Sequence, residues 1–189
     1  MLRSLPQSPH QPSATRRCCS GSSVIIFDFD LTLVDTKPVE ALRAAREWKS
    51  VMARASELEV YDGVHELLVD LDAGGQTLAI VTKSPDMVPR AFVRRYGWPI
   101  SIVIGYHQVS RRKPDPEALV LAMRRAGAKT HETFHVGDHP EDTEASRRAG
   151  IVAIGAGWGS EDVGLLTASN PDHLFTSVHE CREFLLSAP

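Results

Sequence analysis

Two hydrophobic patterns alternate along the chain. The first is a short, near-continuous apolar run, seen in "VIIF" at 24–27, "TLAIVT" at 77–82, residues 100–104, "TFHVGD" at 133–138 and "IVAIGAG" at 151–157. Runs of this length without polar alternation predict strands buried on both faces. The second pattern is a longer stretch of helix formers. "PVEALRAAREWKSVMARASEL", 38–58, begins with a proline suited to a first helical turn. It sets Leu42, Ala45, Trp48 or Lys49, and Met52 at helical spacing. Further helices are predicted over 64–72, 85–96, 116–126 and 140–149, stopped by Gly74-Gly75, Gly97, Gly127 and Gly150. Tyr61-Asp62-Gly63 reads as a turn, 172–175 as a short last strand and 178–186 as a closing helix.

Strands that alternate with helices, each strand almost wholly apolar, predict a parallel sheet covered on both sides. The expected fold is therefore α/β: a Rossmann-like, three-layer sandwich around a central parallel sheet. One domain is expected over 23–187, with a small helical insert at about 37–60. No internal repeat is visible. The first 22 residues carry Arg3, Arg16 and Arg17, several Ser and Pro, and no acid. They lack an amphipathic pattern and their prolines would break a helix, so a disordered tail is expected there.

Composition narrows the class. A hydrophobic share of 42%, a charged share of 24% and a net charge of −3 are ordinary for a globular protein. They point neither to nucleic acid nor to an anionic membrane surface. No apolar run approaches the roughly 18 residues a membrane helix needs. Cys18, Cys19 and Cys181 offer neither a disulfide framework nor zinc spacing, and a reduced, cytoplasmic setting is expected.

The chemistry collects where the strands end. In open parallel sheets, ligands sit outside the carboxyl ends of the strands. The first strand leads into Asp28 and Asp30, then Thr32. The second ends in Thr82-Lys83-Ser84, and the loop after the third carries Arg111, Arg112 and Lys113. The fourth leads into Gly137-Asp138, with Asp142 one helical turn on. Lone buried carboxylates are costly unless a cation or hydrogen bonds hold the charge. Clustered carboxylates ask for a hard cation, and all-oxygen ligation selects Mg²⁺ over zinc or copper. Thr82, Lys113 and Lys83 on the same edge suit an anion, and a magnesium ion beside an anion pocket suits phosphoryl transfer.

On these residues the chain resembles the haloacid-dehalogenase superfamily of phosphohydrolases. "DFDLTLVDT" resembles the family's Asp-x-Asp-x-Thr motif, with Leu31 where many members have Gly. "AIVTKS" resembles its strand-closing Thr or Ser, "RRKPDPEAL" its Lys-Pro before a helix, and "HVGDHPEDTEASRRAG" its Gly-Asp followed by a second Asp. The resemblance implies a Mg²⁺-dependent phosphatase acting on a small phosphomonoester through an aspartyl-phosphate intermediate. It implies Asp28 as nucleophile and Asp30 as general acid and base, with Thr32 steadying Asp30. Thr82 and Lys113 would hold the phosphoryl oxygens. The metal would be held by the Asp28 side chain, the Asp30 carbonyl and Asp138, with Asp142 a ligand or its supporter.

Two departures bear on specificity. Lys83 stands where many relatives carry Asn, either as a further cation near the substrate or as a solvated lysine. With Arg111 and Arg112 it would form a basic rim. The insert of roughly 25 residues is short for a full helical cap, which leaves the site more open or leaves the lid to a second subunit. Trp48 and Met52 either line such a lid or pack the insert onto the domain. His135 is expected in the core and His139 at the active edge. A phosphomutase and a non-catalytic binding module on the same fold are the alternatives. Retention of Asp28, Asp30 and Lys113 stands against the second.

Overall fold

A computed structural model of the chain describes residues 23–188. The expectation of a disordered tail over 1–22, and the cysteines at 18 and 19, lie outside the described residues. In chain order the strands and helices are β1 Val24–Phe27, β2 Val34–Asp35, α1 Glu40–Ala44, α2 Trp48–Ala53, β3 Glu59–Val60, α3 Val64–Ala73, β4 Thr77–Val81 and α4 Met87–Tyr96. There follow β5 Ile102–Ile104, α5 Glu117–Ala126, β6 Thr133–Gly137, α6 Pro140–Ala149, β7 Val152–Ala156, α7 Val163–Ala168, β8 His173–Phe175 and α8 Val178–Ser187.

Six strands form one sheet in the order β5-β4-β1-β6-β7-β8, and every pairing in it is parallel. The alternation along β1 sorts its side chains between two layers. Ile25 and Phe27 join Leu67, Leu68 and Leu71 of α3, Phe92 of α4 and Leu185 of α8 on one face. Val24 and Ile26 join Ala118, Leu119 and Met123 of α5 and Ala145 of α6 on the other. Each large side chain so buried is worth about 1.5–3 kcal/mol. The expected three-layer α/β sandwich is therefore present. Helix α7 was not expected; Asp162 caps it, its Oδ1 accepting from the Leu165 N–H at 2.9 Å. Among the described residues no helix is long and apolar enough to cross a membrane.

The strand order matters for the site. From β1 the chain moves one way to β4 and β5, then crosses back to place β6 on the other side of β1. Such a reversal opens a crevice at the carboxyl ends of the two strands that flank it. Here those strands are β1 and β6, and the Asp28 N–H donates to the Val136 carbonyl at 2.8 Å across their ends.

Segment 36–58 is not the one continuous helix that the pattern over 38–58 predicts. It folds as short pieces, with 3₁₀ turns at Lys37–Val39 and Ala55–Glu57 around α1 and α2. Arg46 breaks the run between α1 and α2 at φ 58°. A continuous helix of this length would run about 30 Å in one direction. The chain must instead return, because β3 pairs antiparallel with β2, Val34 facing Val60 and Asp35 facing Glu59. Full burial falls on Val39, Val51 and Leu58; of the residues at the predicted spacing, Leu42 is partly buried against the core and Ala45 is exposed. Trp48 and Met52 are partly buried against the core, so they pack the segment onto the domain.

Candidate active site

The loop after β1 is shaped by its own backbone. Asp28 follows the strand directly, and the chain then curls as Leu33 and Val34 donate to the Phe29 carbonyl at 3.1 and 3.2 Å. Leu31 takes a left-handed φ of 58° while keeping its side chain buried. Gly159 explains part of this crowding, since a Cβ there would come 1.5 Å from the Leu31 carbonyl oxygen. The curl separates the two acids. Asp28 stays at the strand end, whereas Asp30 swings toward β4, its Oδ2 accepting from Thr82 Oγ1 at 2.9 Å and Ser84 Oγ at 2.8 Å.

Asp28, Asp30, Lys113, Asp138 and Asp142 are all buried, each less than one-tenth exposed. Lys113 Nζ lies 2.9 Å from Asp28 Oδ1 and 2.6 Å from Asp142 Oδ1, and donates to the Val81 carbonyl at 3.2 Å. Asp142 sits in the first turn of α6, where its Oδ2 accepts from the His139 N–H at 3.2 Å. That turn lies close against β6 because residue 137 is glycine: a Cβ there would come 2.4 Å from the Asp142 carboxyl carbon. Thr32 Oγ1 donates to Asp138 Oδ1 at 3.0 Å. Thr32 thus braces Asp138, where the resemblance had it steadying Asp30; Thr82 and Ser84 serve Asp30 instead.

Charge is unevenly shared among these groups. Burial, against the pull of Lys113 and with Asp142 and Asp30 nearby, pushes the Asp28 carboxyl up to about 7. Burial and the carboxylates of Asp28 and Asp142 push Asp138 up to about 8. Burial also opposes the charge on Asp142, but Lys113 more than offsets it and holds that carboxyl below the usual range. For Lys113 itself burial works against the ammonium, and Asp142 and Asp28 override it, so its pKa rises. His135, buried and paired through Nδ1 with Ser146 Oγ at 2.7 Å, is pushed down to about 4, chiefly by burial.

Asp28, Asp138 and Asp142 each turn one carboxylate oxygen into a common space, these atoms lying within 4.8 Å of one another. One ammonium against three carboxylates leaves the cluster short of positive charge, which adds to burial in making Asp28 and Asp138 hold their protons more tightly. The set is all oxygen, which fits a hard divalent cation. Asp30 lies outside this trio by its side chain.

A pH dependence follows. With raised folded-state values, Asp28 and Asp138 bind more protons folded than unfolded between the ordinary 3.8 and about 7 or 8, so they make stability fall as pH rises. His135 works in the opposite sense, but only below its ordinary 6.5. The metal-free protein is therefore expected to lose stability between pH 6.5 and 8. Thermal melts across that range should show the loss, and added Mg²⁺ should reduce it. A flat metal-free profile would mean the carboxylates are not short of a cation.

A cavity of about 320 Å³ opens over the cluster, lined by Asp28, Asp30, Lys113, Asp138 and Asp142 and also by residues from outside the strand ends. Lys83 lines it, but its ammonium is paired with Glu141, another lining residue. Arg111 instead faces Asp115 and Glu117 on the surface, and Arg112 lies over the Tyr106 ring at 4.6 Å. Neither arginine lines the cavity. His139 does, and is largely exposed.

Two participants, the buried Ser84 and the partly buried Arg43, were not read as site residues. Ser84 was visible at the end of the second strand but not assigned a role. Arg43 was hidden among helix formers. It reaches from α1 to put Nε 3.2 Å from Asp30 Oδ1, and its Nη1 donates to Thr36 Oγ1 at 3.1 Å and Glu40 Oε2 at 2.6 Å.

Comparison with known proteins bears on the family and the fold. A family model described as haloacid dehalogenase-like hydrolase matches residues 39–156. A phosphoglycolate phosphatase of Xanthomonas campestris pv. campestris is 31% identical over 106 residues, 55% of this chain and 48% of that protein. The probable phosphatase IndB of Dickeya dadantii is 35% identical over 123 residues, 64% of this chain and 54% of that one. The chain thus spans about half the length of these relatives. A hydrolase from Pseudomonas syringae shares the fold with a TM-score of 0.74 at 21% identity, over 87% of this chain and 98% of that one.

Proposed function

Since the chain belongs to the haloacid dehalogenase-like hydrolases, we propose that it is a Mg²⁺-dependent phosphatase that hydrolyses a small phosphomonoester through an aspartyl-phosphate on Asp28. The observation that carries this reading is the buried group of Asp28, Asp138 and Asp142 around one space, with Lys113 joined to two of them. The names of the relatives support it and make phosphoglycolate the first compound to try.

The side chains divide the work. Asp28 attacks phosphorus, and the bond to the leaving oxygen breaks as Asp30 delivers a proton to that oxygen. Asp30 then accepts a proton from the water that attacks the aspartyl-phosphate, releasing inorganic phosphate and restoring Asp28. Thr82 and Ser84 hold Asp30 in place for both transfers. Lys113 favours the anionic form of Asp28 against the effect of burial and offsets charge on the phosphoryl oxygens. Asp28 and Asp138, with Asp142 beside them and the Asp30 carbonyl completing the protein's share, would hold Mg²⁺. The ion supplies positive charge for the phosphoryl oxygens. Thr32 positions Asp138. Segment 36–58 is the small cap over the site, and Lys83, released from Glu141, would add a cation at its rim.

The test is phosphate release from phosphoglycolate, a generic aryl phosphate and a panel of phosphorylated metabolites. Release is expected with Mg²⁺ and is expected to cease with EDTA. Mg²⁺-independent release, or none from any compound by a protein shown to bind Mg²⁺, would overturn the reading.

A further inference from the structure

Three cationic side chains line the cavity, and each faces carboxylates: Lys113 pairs with Asp28 and Asp142, Lys83 with Glu141, and Arg43 with Glu40 and Asp30. Arg43 differs in how it is paired. Its Nη1 is anchored by Thr36 and Glu40, which steadies the guanidinium from one side. Arg43 also lines the cavity, and its Nε is turned toward Asp30. There Nε and Asp30 Oδ1 are buried 3.2 Å apart, yet neither has an aligned hydrogen-bond partner. A buried donor and acceptor left this way are costly, and a ligand that satisfies the donor removes that cost.

We propose that Arg43 recognises a second anionic group on the substrate, and that the substrate is a compact phosphomonoester carrying a carboxylate close to its ester oxygen. This rests on the phosphatase reading above. Asp30 protonates the leaving oxygen there, so the atoms bonded to that oxygen pass beside Asp30. Arg43 is the next cation they meet. The free edge of a guanidinium matches a carboxylate with two parallel hydrogen bonds, which a lysine cannot reproduce. The cavity of about 320 Å³ must also take the phosphoryl group and the metal, which leaves room for a short carboxylate-bearing arm rather than a large body.

The experiment compares three non-hydrolysable ligands by calorimetry in the presence of Mg²⁺: 3-phosphonopropionate, propylphosphonate and ethane-1,2-bisphosphonate. The first two share a phosphonate and differ in the carboxylate. The wild-type protein is expected to favour 3-phosphonopropionate over propylphosphonate by about 10–100-fold. In Arg43→Gln that ratio should collapse to about twofold or less, and Arg43→Lys should fall between. No preference in the wild type, or a ratio kept in Arg43→Gln, overturns the assignment. A bisphosphonate bound more tightly than the carboxylate would overturn the choice of carboxylate. If Arg43→Gln does not fold, the wild-type preference and the Arg43→Lys ratio decide. Because none of these ligands turns over, the carboxylate preference stands or falls separately from phosphate release. A preference that survives in a protein releasing no phosphate would refute the phosphatase reading and keep the role of Arg43.

Discussion

Asp28→Asn is expected to abolish phosphate release, by at least about a thousandfold, in a protein that remains folded. The amide keeps the shape of the side chain and removes the oxygen that would form the bond to phosphorus. The fold should tolerate the change because burial already opposes a charge at this position, with the carboxyl pushed up to about 7. Lys113 keeps Asp142 as a partner at 2.6 Å. Acid-quenched wild-type protein incubated with ³²P-labelled substrate should carry label on the chain, and the variant should carry none. Turnover by the variant near the wild-type rate would place the nucleophile elsewhere.

Lys113→Met is expected to remove both activity and stability. Among the described residues the ammonium is the single lysine or arginine cation joined to Asp28 and Asp142, and it is almost wholly buried. Taking one partner from a buried ion pair costs about 3–5 kcal/mol, because the carboxylates left behind are neither solvated nor paired. Phosphate release should fall by about 10²–10³ through the lost stabilisation of phosphoryl charge. The two losses should respond differently to metal. Mg²⁺ neutralises the same carboxylates, so it should recover part of the stability in urea unfolding without recovering turnover. A metal-free loss below about 1 kcal/mol would show that the carboxylates facing Lys113 had already given up their charge.

Much of the site could be read from the chain because its residues mark strand ends. Asp28 and Asp138 each close an apolar run, and a parallel sheet with a reversal at β1 and β6 sets two such ends side by side. Its loop put Lys113 at the active edge, but its role was implied only by the resemblance, since nothing in a polar loop says which cation will be buried. The partners of Thr32 and Asp30 were not readable at all. Thr32 bonds Asp138 across 106 positions of sequence, and Ser84 reaches Asp30 across 54. Such pairings are set by how the loop after β1 curls. Arg43 was lost for a different reason. The spacing of Leu42, Ala45 and Met52 satisfied a helical template, and no local signal marked Arg46 as the break. The return of the chain to β3 forces that break, and it is a tertiary requirement.

The two-stranded ribbon of β2 and β3 has a wider consequence. Because Val34 and Asp35 lie directly against Val60 and Glu59, everything between them leaves the domain and re-enters through adjacent doors. A segment of any length whose ends meet that spacing can hang from the same ribbon without shifting Asp28 or the sheet beneath it. The ribbon is thus a splice point, where the segment that carries Arg43 can be exchanged, by evolution or by grafting, separately from the sheet edge that carries Asp28 and Asp138.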